Sequence, residues 1–259
     1  MILTKKNRQA MLFTLVGLSA QAIQAGGELN ENELIVNPAS AFPPFVFTLS
    51  VGPVWENAGK SQTFYLAPDI EKTYDADNAT KTLLNAEIFL GLERVLSEQF
   101  YGQLGIALAA ASPARLSGDI WDDADPQFNN FSYDYKINHL YLGLKGKILA
   151  QIDFVVTPWI SASAGFGFND AYHFSNKPTI YEAIVNPDFS SHTQTTFSYT
   201  LGAGIQRAIT ENWEIGIGYE FADWGKSKLG RAPHQTQHSG LALDHLYTNG
   251  LLLNITYLQ

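Results

Sequence analysis

The chain of 259 residues is 46% hydrophobic and 13% aromatic, only 16% charged, and has a net charge of −9. This acidity argues against a nucleic-acid partner. The absence of cysteine excludes a disulfide frame and thiol chemistry, so packing and sheet hydrogen bonds alone must hold the fold.

The start of the chain reads as an export signal. Lys5, Lys6 and Arg8 precede the apolar run "AMLFTLVGLSA" (10–20), which matches the roughly 7–15 residues of a signal-peptide core and is too short to span a bilayer. Small residues place cleavage after Ala22 or Ala25, so residues 1–25 are assigned to a signal peptide; a membrane-anchoring helix is the alternative. Residues 26–44, "GGELNENELIVNPASAFPP", carry prolines that stop them from continuing a strand. They are expected to form a periplasmic arm or a lumen plug, which leaves 45–259 for the folded domain. No other stretch reaches the ~18–20 apolar residues of a transmembrane helix.

From residue 45 onward the pattern has a period of two. In "FVFTLSVGPVW" (45–55), Phe45, Phe47, Leu49, Val51 and Trp55 share one face. The same alternation recurs over 82–92 (Leu84, Ile88, Leu90), 100–110 (Phe100, Leu104, Ile106, Leu108) and 137–147 (Leu140, Leu142, Leu144). It continues over 157–168 (Ile160, Ala162, Phe166, Phe168), 197–206 (Phe197, Tyr199, Leu201, Ile205), 213–225 and 248–258 (Leu251, Leu253, Ile255, Tyr257). Segments of this kind read as half-buried strands. Each has the length, about 9–11 residues, that a tilted strand needs to cross a bilayer.

The opposite face is the informative one. In "WEIGIGYEFADWG" (213–225) it holds Glu214, Gly216, Gly218, Glu220 and Ala222. Glycine weakens an ordinary strand, so something crowded or narrow must lie on that side. The inside of a small closed barrel fits this description, with the bulky face turned to lipid.

The connections alternate in length. Segments 93–99, 147–154 and 207–212 are short, whereas 56–81, 111–136, 169–196 and 223–247 are long. This predicts an all-β, transmembrane, antiparallel up-and-down barrel of eight strands, with short periplasmic turns and long extracellular loops. A ten-stranded version would recruit "TIYEAIV" (179–185). Trp55, Phe100, Trp213 and Phe45 are placed at interfacial girdles. Lys147, Arg207 and Arg94 are placed at the periplasmic headgroups or on exposed turns.

The stretches "PFVFTLSVGPVW", "SYTLGAGIQRAITENWEIGIGYEFADWG" and "LLLNITY" resemble the opacity-porin and outer-membrane-protein-A-like family of eight-stranded barrels, over residues 45–259. The resemblance implies location in the outer membrane of a Gram-negative bacterium and a structural, surface-facing role. One departure is the C-terminus. The family usually ends on an aromatic, and here Tyr257 holds the third-from-last place before Gln259, which implies altered recognition by the assembly machinery.

Alternation directs Glu87, His139, Lys145, Glu214 and Glu220 into the lumen, where buried charges should pair. The network is either a static filling or a gate in which Lys145 exchanges carboxylates. "YHFSN" (172–176) resembles the site motif of the outer-membrane lipid A deacylases. That match would make His173 the base and Ser175 the nucleophile, with Asn176 near the oxyanion and Glu182 the nearest orienting acid.

The acidic loop 119–126 (Asp119, Asp122, Asp123, Asp125) lacks the glycine and distal glutamate of a calcium loop and reads as solvated. The last long loop is basic: Lys226, Lys228 and Arg231 would meet lipopolysaccharide phosphates. His234 and His238 would share a metal only if helical, and their surroundings read as loop. The expected partners are therefore outer-membrane lipid, lipopolysaccharide and host or envelope proteins reached through the loops, with no cofactor, metal or catalysis. A narrow channel for ions or small solutes and the lipid A esterase are the rival functions; a soluble secreted β-protein is a third.

Overall fold

Alternating strands joined by tight turns at one end bring their ends together, and the sheet closes. The computed structural model describes residues 43–152 and 154–259. The signal peptide, and the arm or plug up to residue 42, lie outside the described residues. The strands are β1 (Phe45–Glu56), β2 (Gln62–Ala67), β3 (Ile70–Ala76), β4 (Lys81–Ser97), β5 (Phe100–Asp122), β6 (Asn129–Ala150), β7 (Thr157–Pro178), β8 (His192–Ala208), β9 (Trp213–Asp223), β10 (Ser227–Lys228), β11 (Ala242–Leu243) and β12 (Tyr247–Leu258).

Eight of them form an antiparallel ring, β1–β4–β5–β6–β7–β8–β9–β12, closed where Val46 pairs with Leu258 and Glu56 with Thr248. Closure satisfies the backbone groups that hydrocarbon cannot. The two further strands of this sheet, β2 and β3, are not part of the ring; they form a hairpin that pairs with the outer end of β5. The segment 179–185 contributes no strand, so the ten-stranded alternative is replaced by eight strands and an appended hairpin.

The faces follow the alternation. Leu84, Leu104, Leu144, Ile160, Phe166 and Leu253 are exposed on the outer wall, while Thr48, Asn85, Gln103, Ser163 and Thr256 are buried inside. With apolar atoms outside and polar atoms inside, only lipid can complete the structure. Phe45, Phe100 and Trp213 are exposed near the short-turn end, where Trp213 lies 5.1 Å from Tyr257. Phe221, Tyr199 and Tyr247 cluster towards the other end, with centroids 5.7 and 6.2 Å apart. These are the two interfacial girdles.

The long connections are not loose loops. β5, β6 and β7 run well past the girdle, and only residues 123–128, including a 3₁₀ turn at Pro126–Phe128, join β5 to β6. In this extension the polarity inverts. Leu116, Ile120, Phe131, Tyr133, Tyr135 and Phe174 point inward and form a core with Tyr74 of the hairpin, Phe189, and Leu229, Leu241 and Leu246 of the last loop. Arg115, Ser117 and Asp119 lie on the outer surface, in water. In β6 the faces keep their parity and only the residue types change; in β5 and β7 irregularities at Ala111/Ala114 and opposite Tyr135 also shift the phase, the latter where His173 takes a φ of 53°. An extra residue there swaps the faces of everything beyond.

Candidate functional site

The lumen is filled in layers. Near the short turns Gln103 Nε2 donates to Glu93 Oε2 at 2.7 Å. Beside this pair, Lys147 Nζ donates to Gln206, whose amide donates in turn to Glu214. Lys147 also sits 4.6 Å above the Trp159 ring. It therefore points into the barrel rather than to the headgroups, because it shares the parity of Lys145 and Tyr141. Arg94 and Arg207 are exposed on the outer wall at this end, as their opposite parity requires.

Trp159 explains the glycine face. A Cβ on Gly218 would lie 2.4 and 2.5 Å from its indole, one on Gly204 2.6 Å and one on Gly202 3.4 Å. The ring lies flat where β8 and β9 have no side chains. The crowding that the glycines imply is thus a particular residue contributed by β7.

Above it lies the charged brace. Lys145 Nζ donates to Glu87 Oε1 at 2.6 Å and to Glu220 Oε2 at 2.9 Å, and all three side chains are buried. They come from β6, β4 and β9, which are not neighbours in the ring, so the contact crosses the lumen. The free space around the brace, bounded by Ser50, Trp159, Ser161 and Asn254, is about 30 Å³, so side chains fill this part of the lumen. The one ammonium, shared between two carboxylates, balances one of their two charges and offsets part of their desolvation cost.

The next layer is neutral. His139 Nδ1 donates to Asn169 Oδ1 at 2.8 Å, and Asn169 Nδ2 donates to the carbonyls of Trp224 and Lys226, both at 2.8 Å. Trp224 stacks 5.4 Å from His139 and donates to Thr248 at 2.9 Å. This layer ties the root of the last loop to the barrel wall. Beyond it the apolar core of the extension closes the outer end.

The five lumen residues read from parity are therefore all inside, but in three separate layers. Glu87, Lys145 and Glu220 meet; Glu214 belongs with Gln206 and Lys147, and His139 with Asn169 and Trp224. Alternation also sets Gln206 on the inner face, but sequence reasoning missed Trp159, Trp224 and Lys147. Parity alone would have found the first and third.

At "YHFSN", His173 is exposed on the bulge with its ring 4.8 Å from Tyr172. Ser175 is half-buried and Glu182 is exposed on the following turn. Asn176 is turned inward, donating to Asn186 O and Asp188 Oδ1, both at 2.9 Å. Among the described residues no hydrogen bond joins His173, Ser175 and Glu182.

Of the basic set, Lys226 and Arg231 are exposed and Lys228 is half-buried in β10; Arg231 Nε donates to His238 O at 2.6 Å. Among the described residues no group of three or more His, Asp or Glu side chains is arranged to hold a metal. Asp122 pairs with Lys72, and Asp119 accepts from Asn129 at 2.9 Å.

A closed ring, a lipid-facing wall and a packed polar lumen define an integral outer-membrane β-barrel. No family model and no curated protein matches the chain. Among solved structures it is similar to Neisserial surface protein A, at 12% identity over 83% of this chain and 96% of that one, with a TM-score of 0.42. It is also similar to the outer-membrane protease OmpT of Escherichia coli, at 8% identity over 83% and 97%, with a TM-score of 0.47. A third is the outer-membrane protein OprG of Pseudomonas aeruginosa, at 11% identity over 84% and 97%, with a TM-score of 0.38.

Proposed function

We propose that this protein is a non-conducting barrel of the opacity-porin type whose work is done at the cell surface, where it presents a rigid platform to host or envelope molecules. The observation that carries the reading is the division of the molecule. The transmembrane part is braced across its lumen by Lys145, Glu87 and Glu220, while the strands that continue outward carry an apolar core that holds the outer connections in place. Function resides in such sites rather than in the fold.

A solute channel would need a continuous path, and the buried Lys145, Glu87 and Glu220 side chains meet across the lumen. An esterase would need a base within reach of its nucleophile; the separated surroundings of His173 and Ser175 favour a surface role for "YHFSN" and a chain that is not an enzyme. Lipid and lipopolysaccharide remain the natural surroundings of the outer wall, with exposed Lys226 and Arg231 as the candidate phosphate contacts. The deciding experiment is recording from the purified protein in planar bilayers. Silence at all voltages is expected; steady unitary currents from the intact protein would replace this reading with the channel.

A further inference from the structure

At the end of the molecule farthest from the membrane, three connections are tied together. Thr179 N donates to Asn130 O at 2.8 Å and Thr179 Oγ1 to Asn129 O at 3.0 Å, fixing the start of 179–191 to the first residues of β6, next to the β5–β6 connection. Asp123 N donates to Glu71 O at 3.1 Å, which joins the β2–β3 hairpin to the same place. Below, Asn176 grips Asn186 and Asp188, and Phe189 is buried with its ring 4.7 Å from Phe174. The base of 179–191 is thus fixed.

Its tip is apolar and uncovered. Tyr181 is 99% and Ile184 87% exposed, and Ile180, Val185 and the adjoining Phe128 are exposed as well. An apolar cluster on a fixed base marks an interaction site. The protein's own bilayer does not cover it. From Phe168, the last large lipid-facing residue of β7, about 10 residues lead to Pro178, roughly 33 Å along the strand and roughly 25 Å along the membrane normal at the usual tilt.

The charge around the tip selects the occupant. Asp69, Asp123 and Glu182 are exposed and Glu71 and Asp125 half-exposed, which outweighs the exposed Lys177 at the base of the loop, while Lys72 is already paired with Asp122. A second copy would bring these carboxylates against their like, and an anionic lipid surface would be repelled in the same way. We propose that this acidic, apolar crown binds a cationic amphipathic segment of another protein, its apolar side chains seated on Tyr181 and Ile184 and its basic ones on Asp123 and Glu182. The inference rests on the surface-contact reading above and names the chemistry of the partner.

The test uses the full barrel in zwitterionic nanodiscs and a labelled synthetic helix with one leucine and one lysine face. Empty nanodiscs, an all-lysine peptide and a leucine–glutamate helix serve as comparisons. The leucine–lysine helix should bind the loaded discs at least about tenfold more tightly than any comparison. Tyr181→Ser with Ile184→Ser should weaken it about tenfold. Asp123→Asn with Glu182→Gln should weaken it and flatten its salt dependence, with heat-modifiable gel mobility unchanged in both. Equal binding to empty discs, equal binding of the leucine–glutamate helix, indifference to both variants, or association of the discs with one another or with anionic vesicles instead would overturn it. The same samples recorded in planar bilayers keep the two ideas apart. A silent barrel that ignores the peptide removes this inference alone, whereas a conducting one removes the surface-contact reading.

Discussion

Two residues show how little of the lumen is spare. A methyl group at Gly218 would meet the Trp159 ring at 2.4 Å, and the indole has the Lys147 ammonium over it, so it has little room to yield. Gly218→Ala should destabilise the barrel by about 1–3 kcal/mol, the usual cost of overpacking. Combined with Trp159→Ala, the two losses should fall short of their sum because they act on one contact. Urea unfolding followed by the gel-mobility shift measures both, and strict additivity would show that the ring and the glycine are independent. Lys145 makes the complementary case. Lys145→Met leaves Glu87 and Glu220 buried without a counter-charge and should cost about 3–5 kcal/mol, while adding Glu87→Gln and Glu220→Gln should recover most of it, since a buried ion pair is costly chiefly when broken. If the triple variant stays as unstable as Lys145→Met, the brace acts through shape rather than charge.

At the scale of the element, the extension of β5, β6 and β7 carries the aromatic part of the core and has its own pH response. Burial is the main reason that the phenols of Tyr74 and Tyr133 are held well above the usual tyrosine range. Tyr133 and then Asp122 add to the effect at Tyr74, and Asp77 and Asp75 at Tyr133. Below about pH 10 these groups are neutral folded or unfolded. Above it the unfolded chain gives up the protons first, so stability falls as pH rises. The extension should loosen above about pH 10 while the ring persists, and Tyr74→Phe with Tyr133→Phe should move that loss to higher pH. Protease nicking of the loops against pH, with ring integrity read by gel mobility, checks this; loosening at an unchanged pH in the double variant would exclude these phenols. The extension was also the element least legible in the sequence. The eight membrane segments announce themselves because Leu140, Leu142 and Leu144 alternate with His139, Tyr141 and Lys145 without interruption. Beyond the membrane the inside becomes the apolar side, and in β5 and β7 a bulge shifts the phase as well. Leu116 and Ile120 stay in step with Leu104 and Leu108 in number while facing the opposite way. In β6, where no bulge intervenes, Phe131, Tyr133 and Tyr135 fall in step with the polar His139 and Lys145, so a reading that follows the outer apolar face loses the strand there and finds a loop.

For the whole molecule, two of the layers that fill the lumen act as stops of different chemistry. The outer stop is apolar: Leu229, Leu241 and Leu246 are wholly buried beneath the extension, held over the lumen by the root at Asn169, Trp224 and Thr248. The inner stop is ionic and crosses from β6 to β4 and β9. Neither depends on the other for its contacts. Replacing 227–246 by a short glycine–serine link should therefore leave the barrel silent in a planar bilayer, because the brace is intact. Lys145→Ala alone should also be silent, because the apolar stop remains. Only the two together should pass current, and that current should favour cations, since Glu87 and Glu220 would then line the opened lumen without a partner. Conduction by the loop replacement alone would mean that the brace is no barrier. Silence of the combined variant, with the barrel still folded by gel mobility, would place the closure lower, at Trp159 and the Lys147–Gln206 layer, where side chains rather than charge fill an eight-stranded ring.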